Sequence, residues 1–145
     1  MVKKLFAVAA MTLLLGACGF RERPPLAEGP VGPPPGAKFF TVQFDSGSST
    51  LDKMAMGTLD KAAESFKAGG VSRVTVTGYA DTVGNVKSNQ ELSERRAYAV
   101  RGALYTRGVP VDAMTVIANG EDKLVVKTAD ETAEARNRVV TIRLK

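Results

Sequence analysis

Apolar and polar positions along the chain follow two periods, and the switches between them outline strands separated by helices. Phe39 to Phe44 is a short apolar run with β-branched residues, and Val74 and Val76 alternate with Arg73, Thr75 and Thr77, so both segments read as strands. Leu51, Ala55, Leu59, Ala62 and Phe66 make a helical stripe that stops at the Gly69-Gly70 pair. Leu92, Arg96, Val100 and Leu104 recur every four residues and share one face of a second helix, predicted from about Asn89 to Arg107, with Gly108 and Pro110 at its exit. Ser88 and Glu91 have capping-box spacing and predict the entry of that helix. Met114 to Ala118 reads as a third strand, Thr128 and Glu131 as a capping box for a short helix, and Val140, Ile142 and Leu144 as a last strand. The order βαβαβ(α)β predicts an α/β fold with helices packed on one face of a mixed four-stranded sheet.

The first 38 residues follow neither period. Lys3 and Lys4 precede the apolar run Leu5 to Leu15, which is shorter than the roughly 20 residues needed to span a bilayer but suits a signal-peptide core. Residues 1–17 are therefore expected to be removed. Leu15-Gly16-Ala17-Cys18 resembles a bacterial lipobox, which implies that Cys18 carries a diacylglyceryl group and an amide-linked acyl chain, enough for stable attachment to outer-membrane lipid. Gly19 follows, not the aspartate that holds similar lipoproteins at the inner membrane, so the expected location is the outer membrane, facing the periplasm. Residues 18–38 contain six of the seven prolines and read as an extended tether reaching roughly 60 Å at about 3.1 Å per residue. Residues 39–145 remain for one domain, enough for a modest core.

Charge adds little. The net charge of +5 shrinks to +2 for residues 39–145, because Lys3, Lys4, Arg21, Arg23 and Lys38 outweigh Glu22 and Glu28 in the leading segment. No basic stripe with interleaved aromatics stands out, so a nucleic-acid partner is not expected. There is no histidine, and the single cysteine is expected to be blocked by lipid, which removes histidine-based nucleophile systems and the usual zinc ligand sets. Glu121-Asp122 and Asp130-Glu131 are formal carboxylate pairs in loop or capping positions, and Gly69-Gly70 precedes a strand, the reverse of a phosphate loop. Neither a catalytic residue nor a cofactor or metal site is predicted. Met54, Met56, Tyr98 and Tyr105 are expected to be packing residues.

The chemistry concentrates between residues 77 and 104. Arg96 lies within an apolar stripe, where a guanidinium must snorkel or find an anion, and Asp81 is the nearest candidate in sequence. Gly78, Asp81, Gly84, Asn89, Leu92, Ser93, Arg95, Arg96, Ala97 and Val100 together resemble the OmpA-like C-terminal domain family, whose members hold the bacterial cell wall non-covalently. The resemblance covers residues 39–145. It implies that Asp81 pairs with the ammonium of diaminopimelate in the peptidoglycan stem peptide and that Arg96 takes its carboxylate through a planar fork. It further implies that Asn89, Gly78, Tyr79 and Thr82 shape the pocket and that the Asp45 loop borders it, although Asp45 also suits a cap for the turn towards Leu51. Val83 and Val139 depart from the family pattern. Where relatives have an arginine pair near the end, this chain has Asn137-Arg138-Val139-Val140; Arg138 serves the site if the first arginine faces the ligand, and the site is weaker or differently shaped if the second does. Tol-type or other periplasmic envelope proteins are further partners the resemblance suggests. A different class of function also fits the sequence: a periplasmic interaction scaffold in which Asp81 and Arg96 form a structural ion pair.

Overall fold

A computed structural model describes residues 37–145; the expected signal peptide, Cys18 and the tether up to residue 36 lie outside the described residues. The elements are β1 (Lys38–Gln43), α1 (Lys53–Lys67), β2 (Val74–Gly78), α2 (Val86–Tyr105), β3 (Met114–Ala118) and β4 (Val139–Leu144), with 3₁₀ turns at Val111–Ala113 and Ala135–Asn137. The four strands form one mixed sheet in the order β1-β4-β2-β3. β4 is antiparallel to β1 and β2, while β2 and β3, joined through α2, are parallel.

Register explains the apolar alternation. Val42, Val140 and Gly78 lie in one row across the sheet and Phe40, Ile142 and Val76 in the next. These rows face both helices, and Leu59, Ala62, Val100 and Leu104 close over them in a single core. Each such aliphatic side chain contributes about 1.5–3 kcal/mol on burial. The intervening residues Thr41, Thr75, Thr77 and Thr141 fall on the opposite face and are exposed or half-buried, which accounts for the threonines between the valines.

The helix ends show how capping side chains compete. α1 begins at Asp52, whose Oδ1 accepts from Ala55 N–H at 2.6 Å, and it stops at Gly69 and Gly70 with φ of 87° and 79°, as the glycine pair predicts. α2 begins three residues before the predicted entry. Asn85 is the cap, its Oδ1 accepting from Ser88 N–H at 2.8 Å, so Ser88 is the donor being capped and not the cap. The helix predicted after Thr128 does not form. Glu131 adopts φ 52°, outside helical geometry, and its carboxylate accepts from Gly84 N–H at 3.2 Å. Asp45 closes its turn through the carbonyl, which accepts from Ser48 N–H at 3.2 Å, and not through its carboxylate. Met54, Met56, Tyr98 and Tyr105 are exposed, contrary to a packing role, with Met54 81 % accessible.

Candidate functional site

The site grows from the junction of β2 and α2. Gly78 ends β2 where α2 crosses closest: a Cβ there would stand 2.1 Å from the Ser93 carbonyl oxygen, so only glycine admits the helix. The chain then turns through Asp81 and Thr82, both buried, before Asn85 starts α2. Down α2, Leu92, Arg96, Val100 and Leu104 are all buried, as their spacing predicts. Arg96 is among the largest wholly enclosed side chains and has 0 % accessibility.

A buried guanidinium needs acceptors, and Arg96 finds three backbone carbonyls. Nε donates to Ser48 O at 2.7 Å, Nη1 to Tyr79 O at 3.1 Å and Nη2 to Asp45 O at 2.8 Å. Its plane also lies 5.3 Å from the centre of the Phe44 ring. Two of its five N–H donors, one on each terminal nitrogen, have no acceptor among the described residues. Burial lowers the Arg96 pKa to about 10, Asp81 opposing and Arg138 and Arg95 reinforcing the shift, so the group is cationic at neutral pH.

Asp81 pairs with Arg138, not with Arg96. Arg138 Nη1 donates to Asp81 Oδ2 at 3.2 Å, while Asp81 Oδ1 accepts no hydrogen bond among the described residues. The structural ion pair between Asp81 and Arg96 expected of a scaffold is therefore replaced by a different one. Arg138, first of the two positions at the shortened arginine pair, is the one that reaches the Asp81 loop; Val139 is buried at the start of β4.

Several predicted site residues act as fasteners. Asn89 Nδ2 donates to Val83 O at 3.1 Å and to Glu121 Oε2 at 2.5 Å. Thr82 Oγ1 donates to Ala129 O at 2.7 Å and accepts from Thr132 N–H at 3.1 Å. Tyr79 contributes its carbonyl to Arg96, and Gly78 its lack of a side chain. Asp45 alone presents an exposed carboxylate. The formal carboxylate pairs separate into loop roles, Glu121 tied to Asn89 and Glu131 to Gly84. Two further fasteners lie outside the predicted site residues, although Ser93 is one of the residues that carry the family resemblance. Ser93 Oγ accepts from Gly120 N–H at 3.0 Å, and buried Asn137 bonds both N–H and C=O of Val126 at 2.7 and 2.8 Å. Asn137 belongs to the same tripeptide as Arg138, which was its one visible signal.

Beside the site, a cleft of about 390 Å³ runs between β1 and the start of α1, with Arg138 and Asp45 in its wall. Among the described residues there is no group of three or more His, Cys, Asp or Glu side chains placed to hold a metal, and no helix long and apolar enough to cross a membrane.

The sequence matches the OmpA family over residues 43–138. It is 33 % identical over 140 residues to a peptidoglycan-associated lipoprotein of Rhizobium meliloti (strain 1021), covering 88 % of this chain and 80 % of that one. It is 38 % identical over 103 residues to a peptidoglycan-associated lipoprotein of Pseudomonas putida, a match covering 71 % of this chain and only 61 % of the relative's length. The crystal structure of the peptidoglycan-associated lipoprotein from Burkholderia pseudomallei superposes with a TM-score of 0.67 at 28 % identity, over 73 % of this chain and 90 % of that chain. The cell wall anchor of the T6SS from Pseudomonas aeruginosa shares the fold at a TM-score of 0.61, 23 % identity and coverage of 74 % and 80 %.

Proposed function

The chain belongs to the OmpA family, and we propose that it is a non-enzymatic, lipid-anchored protein that tethers the outer membrane to the cell wall by gripping diaminopimelate in the peptidoglycan stem peptide. The observation that carries this reading is a carboxylate with one oxygen, beside a buried guanidinium with two donors, that have no hydrogen-bond partner among the described residues. The free end of diaminopimelate is a zwitterion that complements both. Its ammonium takes Asp81 Oδ1 alongside Arg138, and its carboxylate takes the spare Arg96 donors in a charge-assisted fork. Because Arg96 is wholly covered, the carboxylate enters with an outward shift of the 45–48 turn, whose residues Asp45, Ser46 and Gly47 are exposed. The names of the lipoprotein relatives, the lipobox at Cys18 and the proline-rich tether support anchoring in the outer membrane, facing the periplasm; Tol-type envelope proteins as further partners rest on the family resemblance alone.

Co-sedimentation of the purified full chain with diaminopimelate-type sacculi tests this. The wild type pellets, Asp81→Asn stays in the supernatant with its circular dichroism spectrum unchanged, and lysine-type sacculi, whose side chain lacks the second carboxylate, fail to pull the wild type down. Equal pelleting of wild type and Asp81→Asn would overturn the assignment.

A further inference from the structure

The cleft between the outer edge of β1 and the first turns of α1 has no part in the reading above, yet two of its wall residues are shared with the diaminopimelate site. Arg138 lines the cleft and holds Asp81; Asp45 lines it and gives its carbonyl to Arg96. A ligand filling both places would run continuously past Arg138.

The lining identifies the chemistry of what enters. Thr50 is exposed, and its hydroxyl has no hydrogen-bond partner among the described residues; the Thr41 side chain lies on the sheet face away from the helices. Asp45 offers a carboxylate, and Asp52 keeps one oxygen after its other caps α1. Among the described residues β1 pairs only with β4, and Phe44 N–H points to Arg138 O on that side, so by alternation the main-chain groups of Thr41 and Gln43 face outward. Two carboxylates oppose an anion, Arg138 opposes a free cation, and the density of hydroxyl and amide groups opposes an apolar ligand. A neutral molecule rich in hydroxyl and amide groups remains. Met54, the most exposed of the apolar side chains in this wall, adds a surface for the C–H face of a ring.

We infer that this cleft is a saccharide subsite, taking an N-acetylated amino sugar of the wall glycan while the Asp81 loop holds the peptide attached to it. The inference rests on the wall-binding reading and extends it from the peptide to the glycan.

Calorimetric titration of the purified full chain separates the two. The probes are the free diaminopimelate-containing tetrapeptide and the same tetrapeptide carrying its N-acetylglucosamine–N-acetylmuramic acid disaccharide. The disaccharide-peptide is expected to bind the wild type about tenfold more tightly than the free peptide, the worth of one or two net hydrogen bonds. In Thr50→Val, near-isosteric at an exposed position, that advantage collapses to about one while the free-peptide affinity is unchanged, the lost hydroxyl contact removing it. Equal affinity of the wild type for both probes, or an advantage that survives in the variant, overturns the saccharide subsite and leaves the peptide site standing. Binding of neither probe to the wild type overturns the wall-binding reading itself, and the subsite with it.

Discussion

Arg96→Ala is expected to damage the fold as well as any ligand contact. The guanidinium holds carbonyls from three separate segments, at Ser48, Tyr79 and Asp45, over distances of 2.7 to 3.1 Å. Truncation leaves those three acceptors part-buried and opens a void under Phe44. An unsatisfied buried acceptor costs about 1–3 kcal/mol; relief of the buried charge offsets part of that sum, and water entering behind the 45–48 turn offsets more. A net loss of about 3–5 kcal/mol follows, the lower part of the range for three stranded acceptors. For a domain of this size that lowers the melting temperature by roughly 15–30 °C. Arg96→Lys keeps the charge but cannot span three divergent carbonyls, so it is expected to lie between, at about 2 kcal/mol. Urea titration followed by circular dichroism measures both, with the slope compared between variants so that a shift in midpoint can be read as stability. A loss under about 1 kcal/mol for Arg96→Ala, with an unchanged slope, would refute the clamp and make Arg96 a ligand contact alone.

Gly78→Ala forces backbone against backbone at the β2–α2 crossing, and thermal melting should register a loss of about 3 kcal/mol or more, because a carbonyl cannot swing aside as a side-chain tip can. Asn137→Ala removes both bonds to Val126; hydrogen exchange should accelerate at Val126 and along the 121–134 loop, with about 2–4 kcal/mol lost overall. Arg138→Met removes the hydrogen-bonded cation of Asp81, and since a ligand ammonium would then take that place, free diaminopimelate should raise the melting temperature of this variant more than that of the wild type. An equal or smaller rise would mean that the ammonium does not reach Asp81. The folded-state pKa of Arg96, depressed to about 10, lies below the ordinary arginine value, so the unfolded chain holds the extra proton only above about 10 and the burial penalty is relieved only there. Sacculus binding should therefore show no change arising from Arg96 between about pH 6 and 8.

What the sequence made legible was local and periodic. The Leu92, Arg96, Val100, Leu104 face announced a buried guanidinium because one turn of helix fixes which residues share a side. The valine and threonine alternation announced one covered sheet face and one open one. What it hid was long-range pairing. Arg96 meets carbonyls 17, 48 and 51 residues away, and a backbone carbonyl carries no sequence signature. Asp81 chose Arg138, 57 residues distant, over the arginine nearer in sequence because the crossing of β4 beside β2 brings Arg138 to the loop, and strand order does not follow from pattern. Capping motifs were ambiguous for a related reason: Asn85 and Ser88 both suit a helix start, and Thr128 with Glu131 has the right spacing but its glutamate is drawn away to Gly84.

These hidden contacts share a purpose in the proposed mechanism. The loop that presents Asp81 is short and polar, and left alone it would sample many conformations, each costing ordering entropy on binding. Here Thr82 is bonded to the 129–132 segment, Val83 to Asn89, Gly84 to Glu131, and Tyr79 to Arg96. The opposing segment is itself fixed by Asn137 at Val126 and by Ser93 at Gly120. A carboxylate held this way presents one free oxygen without first having to be arranged, so a small number of charge-assisted contacts with a small zwitterion can yield useful affinity. The turn at 45–48, tied down chiefly through Arg96, is the looser side of the site and therefore the side that yields to the ligand. Substitutions in the Thr82, Asn89 and Asn137 set should accordingly weaken sacculus binding while leaving every proposed ligand-contacting side chain in place, a loss that calorimetry would show as a larger unfavourable binding entropy and not as a smaller binding enthalpy.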